Sequence, residues 1–137
     1  IFFYHSDHLG STSYITDAKA NITQFNAYLP YGELLVDEHS STEEMPYKFN
    51  GKELDQETGL YYYGARYMNP RTSLWYGVDP LAEKYPSVGG YVYCVENPIK
   101  YLDTDGRRIV IHYQDKNGNQ RTYIFMGYRG KKKYLHP

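Results

Sequence analysis

Cysteine is nearly missing from this chain: Cys94 stands alone among 137 residues. One thiol excludes an internal disulfide framework and any multi-cysteine zinc centre. Long apolar runs are missing too. None approaches the ~18 residues that a membrane-crossing helix needs, so no span is expected. The start, Ile1-Phe2-Phe3-Tyr4-His5, carries neither an initiator methionine nor a leader pattern. The chain is therefore expected to be an excised segment, with any export signal outside it. Helical patterning is scarce. Pro80 to Tyr85 alone reads as helical, about one turn, with Asp79 as N-cap and Pro80 at the first helical position.

Tyrosine, in contrast, is abundant, at 18 residues, and aromatics make up 18% of the chain. This explains how a 41% hydrophobic composition coexists with a mean hydropathy of -0.72, since each tyrosine adds apolar area and a hydroxyl. Each buried ring removes roughly 150–250 Å² from water, enough to build a core and to argue against disorder. Tyr, Phe, Ile, Val and Thr recur in short runs broken by Gly, Pro, Asn and Asp, the pattern of strands and turns. Ser13–Thr16 and Ile22–Tyr28 predict a hairpin with the five-residue loop 17–21. On its second strand Ile22, Gln24, Asn26 and Tyr28 share one face, and Thr23, Phe25 and Ala27 the other. The acidic, Ser/Thr-rich segment 37–46 predicts an exposed loop, and Tyr47–Asn50 a strand. Leu60–Met68 reads as a strand whose Gly64-Ala65 pair marks close backbone approach. Leu74–Tyr76 reads as another short strand. Asn117-Gly118 predicts a hairpin between 109–113 and 122–125. The chain is thus expected to be mainly β, in antiparallel hairpins.

The net charge of -1 conceals a split. Residues 1–106 carry 7 Lys/Arg and 15 Asp/Glu, whereas residues 107–137 carry 8 Lys/Arg and one Asp. The asymmetry predicts a two-part chain: 1–106, and a tail 107–137 made of a hairpin at 109–125 and a basic end.

Several blocks resemble the RHS repeat-associated core of RHS/YD-repeat proteins. Asp7-His8-Leu9-Gly10-Ser11-Thr12 is similar to the family's opening motif, and Tyr31-Gly32-Glu33 to its turn. Phe49 to Asp55, which includes Gly51 and Glu53, precedes Glu57-Thr58-Gly59-Leu60-Tyr61-Tyr62-Tyr63-Gly64-Ala65-Arg66-Tyr67; together they resemble the family's most distinctive stretch. Trp75, Asp79-Pro80-Leu81 and Asn97-Pro98 through Asp103-Thr104-Asp105-Gly106 follow in the family's order. The resemblance covers about residues 4–106. It implies the terminal part of a β-shell that encloses the chain's own variable C-terminal region, often a toxin, in a secreted or cell-surface bacterial protein. The partners it implies are the rest of the same chain, meaning its repeats and C-terminal cargo, and an immunity protein.

The resemblance also implies chemistry. Asp79 and Asp103 match aspartates of two motifs that flank an autoproteolytic cut, which places the scissile bond at Arg107-Arg108. One carboxylate would activate water and the other, protonated, would polarise the carbonyl; two such groups held close cannot both ionise. Ala82 stands where the pattern prefers Gly, Thr104 replaces Pro, and Arg107 replaces Leu. Asp105 is a competing partner for Asp103. The residues alone allow a plainer role, with Asp79 capping a helix and Asp103 and Asp105 shaping a turn before Gly106. Arg66 reads either as a group tuning an aspartate or as a carboxylate or aromatic partner inside the sheet.

His5, Asp7 and His8 lie on a strand-and-turn segment, where turn chemistry accounts for them better than a metal does. His39, His112 and His136 are isolated. Cys94 reads as a small buried hydrophobe, and Ser11-Thr12-Ser13 lacks a base for nucleophilic work. No metal or cofactor is expected. Lys131-Lys132-Lys133, with Tyr128 and Tyr134, would suit a nucleic acid on an inert module, although a solvated basic end accounts for it better and no nucleic-acid partner is expected. Three functions therefore remain: shell and processing segment, self-cleaving aspartyl protease, or a module with a basic binding tail.

Overall fold

A computed structural model describes residues 1–40, 44–84 and 89–125, and the backbone of 134–135. The fold is mainly antiparallel β, as the strand-and-turn pattern predicts. The chain divides into two compact units, 1–62 with 69–72, and 63–68 with 73–137.

In the first unit β1 (Phe3–Ser6), β2 (Thr12–Thr16), β3 (Ile22–Tyr28) and β4 (Leu34–His39) form an antiparallel sheet in chain order. The β2–β3 loop closes because Asp17 Oδ1 accepts the N–H groups of Lys19 and Asn21, both at 2.9 Å. The expected alternation on β3 holds, but its buried face is polar. Gln24 and Asn26 are buried, whereas Phe25 is 42% exposed. The facing strand is polar as well, since Asn26 pairs with Asp37 and Gln24 with His39 across the ladder. The Lys48 ammonium, fully buried, bonds to Asp37 and to Glu44, and Gln24 clamps both the N–H and the carbonyl of Met45. Asp37, Glu38 and His39 thus belong to β4 rather than to the expected loop.

The strand expected at Tyr47–Asn50 is a 3-10 turn over Phe49–Gly51, because Asn50 adopts a left-handed φ of 52°. Beyond it β5 (Glu53–Leu54) pairs with β6 (Tyr61–Tyr62). The rings of Tyr28, Phe49 and Tyr61 pack at 5.9 and 5.8 Å. The Tyr28 hydroxyl donates to the Thr12 carbonyl at 2.6 Å, and that of Tyr61 to the Gly32 carbonyl at 2.9 Å. A buried tyrosine such as Tyr61 needs such a partner, and Phe49 and Tyr61 belong to the core.

The segment 60–68 is not one strand. Tyr63 N–H donates to the Arg66 carbonyl at 3.0 Å, which makes a bend with Gly64 at φ 102°. After it come β7 (Tyr67–Asn69) and β8 (Leu74–Trp75). In the second unit Tyr63, Trp75 and Tyr93 form an edge-to-face cluster with centroids 4.9–5.9 Å apart. β9 (Leu102–Asp103), β10 (Ile109–Gln114), β11 (Gln120–Ile124) and β12 (Tyr134–Leu135) form a second antiparallel sheet. Asp115 Oδ1 accepts from Asn117 and Asn119, and Gly118 takes φ 85°, so the predicted hairpin closes as read. A 3-10 turn at Ala82–Lys84 stands where the short helix was predicted; Tyr85 lies outside the described residues. Cys94, Val95 and Glu96 form a further turn with φ of 48°, 52° and 59°.

Candidate functional site

The site is built around Arg66, whose guanidinium sits inside the second unit at 7% exposure. A buried cation needs hydrogen-bond and charge partners, and Arg66 has both. Nε donates to the Gly106 carbonyl at 2.6 Å and Nη1 to the Gly90 carbonyl at 3.1 Å. The guanidinium carbon lies 4.0 Å from the Trp75 ring centroid. Nη2 stands 3.7 Å from Asp79 Oδ2 and 3.7 Å from Asp103 Oδ2. Only the planar fork of an arginine can meet two carbonyls, a ring and two carboxylates together. Burial weakens its hold on its proton, and Asp79 and Asp103 restore part of that hold.

The carboxylates differ in setting. Asp79 Oδ1 accepts the Leu81 N–H at 2.7 Å, the capping bond expected from the sequence. Asp103 is buried on β9, and its Oδ1 accepts the N–H groups of Gly106 at 2.8 Å and Asp105 at 3.2 Å. Burial pushes its carboxyl up to about 6, against the opposing pull of the two N–H groups and Arg66. The first cause is burial rather than a second carboxylate, since the two aspartates share a guanidinium rather than a hydrogen bond with each other.

Close backbone approach, expected at Gly64-Ala65, occurs against the turn 103–106. Ala65 N–H donates to the Asp105 carbonyl at 3.0 Å. Gly106 takes φ +75°, and a Cβ there would lie 2.9 Å from the backbone nitrogen of Arg66. Glycine is required at this point for both conformation and space. Arg107 and Arg108 follow, both exposed, with their N–H groups on Asp105 Oδ1 at 2.9 and 3.0 Å. A cavity of about 20 Å³ is lined by Arg66, Trp75, Asp79, Cys94, Asp103 and Arg107, among others. That is room for one water, which needs ~10–15 Å³ by the same measure. The Cys94 thiol is held protonated by burial.

The structure therefore brings together Arg66, Trp75, Asp79, Asp103, Gly106 and Arg107. Other predicted positions have local roles. Gly10 takes φ +78° in the turn where Asp7 Oδ1 accepts from Leu9 and Ser11. A Cβ on Gly51 would meet the Gly10 carbonyl oxygen at 3.3 Å. Glu53 pairs with Tyr62, and Leu54 with Tyr61, across the β5–β6 ladder. Gly59 ends a turn on the Asp55 carbonyl, and Pro98 is buried beside the Cys94–Glu96 turn. His5 pairs with Thr16 and stacks on Tyr14, while His112 pairs with Thr122. Lys131–Lys133 lie outside the described residues. Sequence reasoning missed the cluster of Asp37, His39 and Glu44, whose ligand atoms lie within 4.8 Å of one another. Lys48, bonded to both carboxylates, is already its cation and lowers the proton affinity of Glu44.

No family model matches the chain. Individual proteins do. Salivary gland surface protein 1 of Aedes aegypti is 34% identical over 102 residues, which are 74% of this chain and 3% of that protein. Toxin subunit YenC2 of Yersinia entomophaga is 37% identical over 93 residues, 66% of this chain and 9% of that protein. A crystal structure of TcdB2-TccC3-Cdc42 superposes with a TM-score of 0.70 at 30% identity, over 77% of this chain and 5% of that one. The chain belongs to the RHS repeat-associated family. As an RHS core segment it spans less than a tenth of these much longer relatives. Among its described residues no helix is long and apolar enough to cross a membrane.

Proposed function

We propose that this RHS core segment forms the terminal wall of a secreted or surface β-shell, holds its own chain's downstream polypeptide, and presents Arg107-Arg108 for self-cleavage. Its partners are the upstream repeats, the C-terminal cargo and an immunity protein against that cargo. One observation carries the cleavage step: Arg66 gathers Asp79 and Asp103 around a cavity with room for one water, and Arg107 lines that same cavity.

In this reading Asp103, with a carboxyl near 6, carries a proton at mildly acidic pH and hydrogen-bonds the Arg107 carbonyl oxygen. Asp79 takes a proton from the cavity water as the water oxygen bonds to the carbonyl carbon. The C–N bond to Arg108 then breaks as the amine takes the proton from Asp79, and Asp103 recovers its own proton as the diol collapses to the new carboxyl group. Arg66, 3.7 Å from Asp79, holds that carboxylate beside the cavity. Because the acid must be protonated, cutting slows as pH rises through about 6.

The test is intact-mass analysis of a longer natural chain that includes the upstream repeats and a downstream extension. A fragment ending at Arg107, lost in Asp79→Asn and in Asp103→Asn, is expected. A chain that stays whole between pH 5 and 8 leaves the shell role standing and rejects the protease.

A further inference from the structure

Between β9 and β10 the backbone is held by two side chains in series. Asp103 Oδ1 collects the N–H groups of Asp105 and Gly106, and Asp105 Oδ1 collects those of Arg107 and Arg108. Each of the four amides from 105 to 108 thus ends on a carboxylate oxygen. The last one matters most. The nitrogen of Arg108 is the leaving atom if Arg107-Arg108 is cut, and it lies 3.0 Å from Asp105 Oδ1.

We propose that Asp105 is the positioning residue of the junction, a role that rests on the assignment of Arg107-Arg108 as the scissile bond. A trans peptide is planar, and its N–H and C=O point in opposite directions. Fixing the Arg108 N–H on the Asp105 carboxylate therefore directs the Arg107 carbonyl oxygen away from that carboxylate. Asp105 cannot be the acid that polarises this oxygen, which leaves the task to Asp103. It also keeps an anion off the carbonyl whose oxygen must gain negative charge. The turn is anchored independently, because the Asp105 carbonyl accepts from Ala65 and the Gly106 carbonyl from Arg66. The Asp105 side chain thus sets the amide plane, not the path of the turn.

The experiment follows cutting of the longer chain over time by mass. Asp105→Asn keeps an oxygen acceptor and is expected to cut at the same bond, at close to the parent rate, with a pH midpoint no higher than the parent's, since the Asp105 charge helps to raise the Asp103 carboxyl. Asp105→Ala loses the anchor and is expected to cut about tenfold to a hundredfold more slowly, the loss that misplacement of reacting groups brings. Should the melting curve show that Asp105→Ala does not fold, Asp105→Ser replaces it; its shorter hydroxyl acceptor must retain cutting at Arg107-Arg108. Asn as slow as Ala, a raised pH midpoint in Asn, a Ser variant that does not cut, or Ala as fast as the parent overturns the positioning role. A parent chain that never cuts overturns the junction assignment itself, and this role with it.

Discussion

Removing the ionisable group at position 103 offers a direct test of the buried cluster. Asp103 is 2% exposed, and its carboxyl is raised from 3.8 to about 6. A raised carboxyl means that the folded chain binds this proton more tightly than the unfolded chain does. Stability from this group is therefore complete below pH 3.8 and is lost as pH rises through about 6. At 1.36 kcal/mol per pH unit the loss approaches about 3 kcal/mol, most of it between pH 4 and pH 7. Asp103→Asn keeps an oxygen for the N–H groups of Asp105 and Gly106 and has nothing to ionise. Its stability relative to the parent should climb by about 2–3 kcal/mol across that window. Urea unfolding at pH 4, 5, 6 and 7, on samples whose mass shows an uncut junction, measures this. The absolute offset between the curves includes the other consequences of the substitution, whereas the slope reports the difference in Asp103 proton affinity between the folded and unfolded chain, to which Arg66 contributes. Parallel curves would show that Asp103 titrates as an ordinary surface aspartate, and the burial argument for its role as proton carrier would fall.

Two further predictions concern backbone conformation. Gly59 and Gly106 both have φ above 70°, yet a Cβ meets nothing within 4 Å at Gly59 and meets the Arg66 nitrogen at 2.9 Å at Gly106. Gly59→Ala should cost about 1–2 kcal/mol of left-handed strain, and Gly106→Ala a further 1–3 kcal/mol of overpacking, read as a larger fall in melting temperature. Equal losses would mean that the close approach of 64–66 to 103–106 is not real. Glu96 is exposed and closes a run of three left-handed residues at φ 59°. Asparagine visits that region more easily, so Glu96→Asn should raise stability by about 0.5–1 kcal/mol in chemical denaturation. A destabilised Asn variant would argue against the turn.

The two hairpins that the sequence foretold, β2–β3 and β10–β11, owe their legibility to local chemistry. Each loop opens with an aspartate, Asp17 or Asp115, whose Oδ1 takes two downstream N–H groups, and such turns need nothing from the rest of the chain. The misread elements depend on distant partners. Asp37–His39 looked like an acidic loop because the cation that makes an acidic strand affordable is the buried Lys48, eleven residues beyond Asp37. Tyr47–Asn50 has strand-forming residues, but Ser11 Oγ accepts the Asn50 N–H at 2.9 Å from 39 residues away, and Asn50 turns left-handed. The same distinction holds at the site. Asp79, Asp103 and the bond at 107–108 could be marked by resemblance, and the turn at Asp103–Gly106 by composition. Arg66 could be marked as a carboxylate or aromatic partner, but not as the group that holds both aspartates at once, because two of its anchors are the backbone carbonyls of Gly90 and Gly106, and backbone oxygens leave no trace in residue identity. Substitutions at Gly90 or Gly106 should therefore disturb the aspartates through Arg66, although neither glycine contributes a side chain to the site.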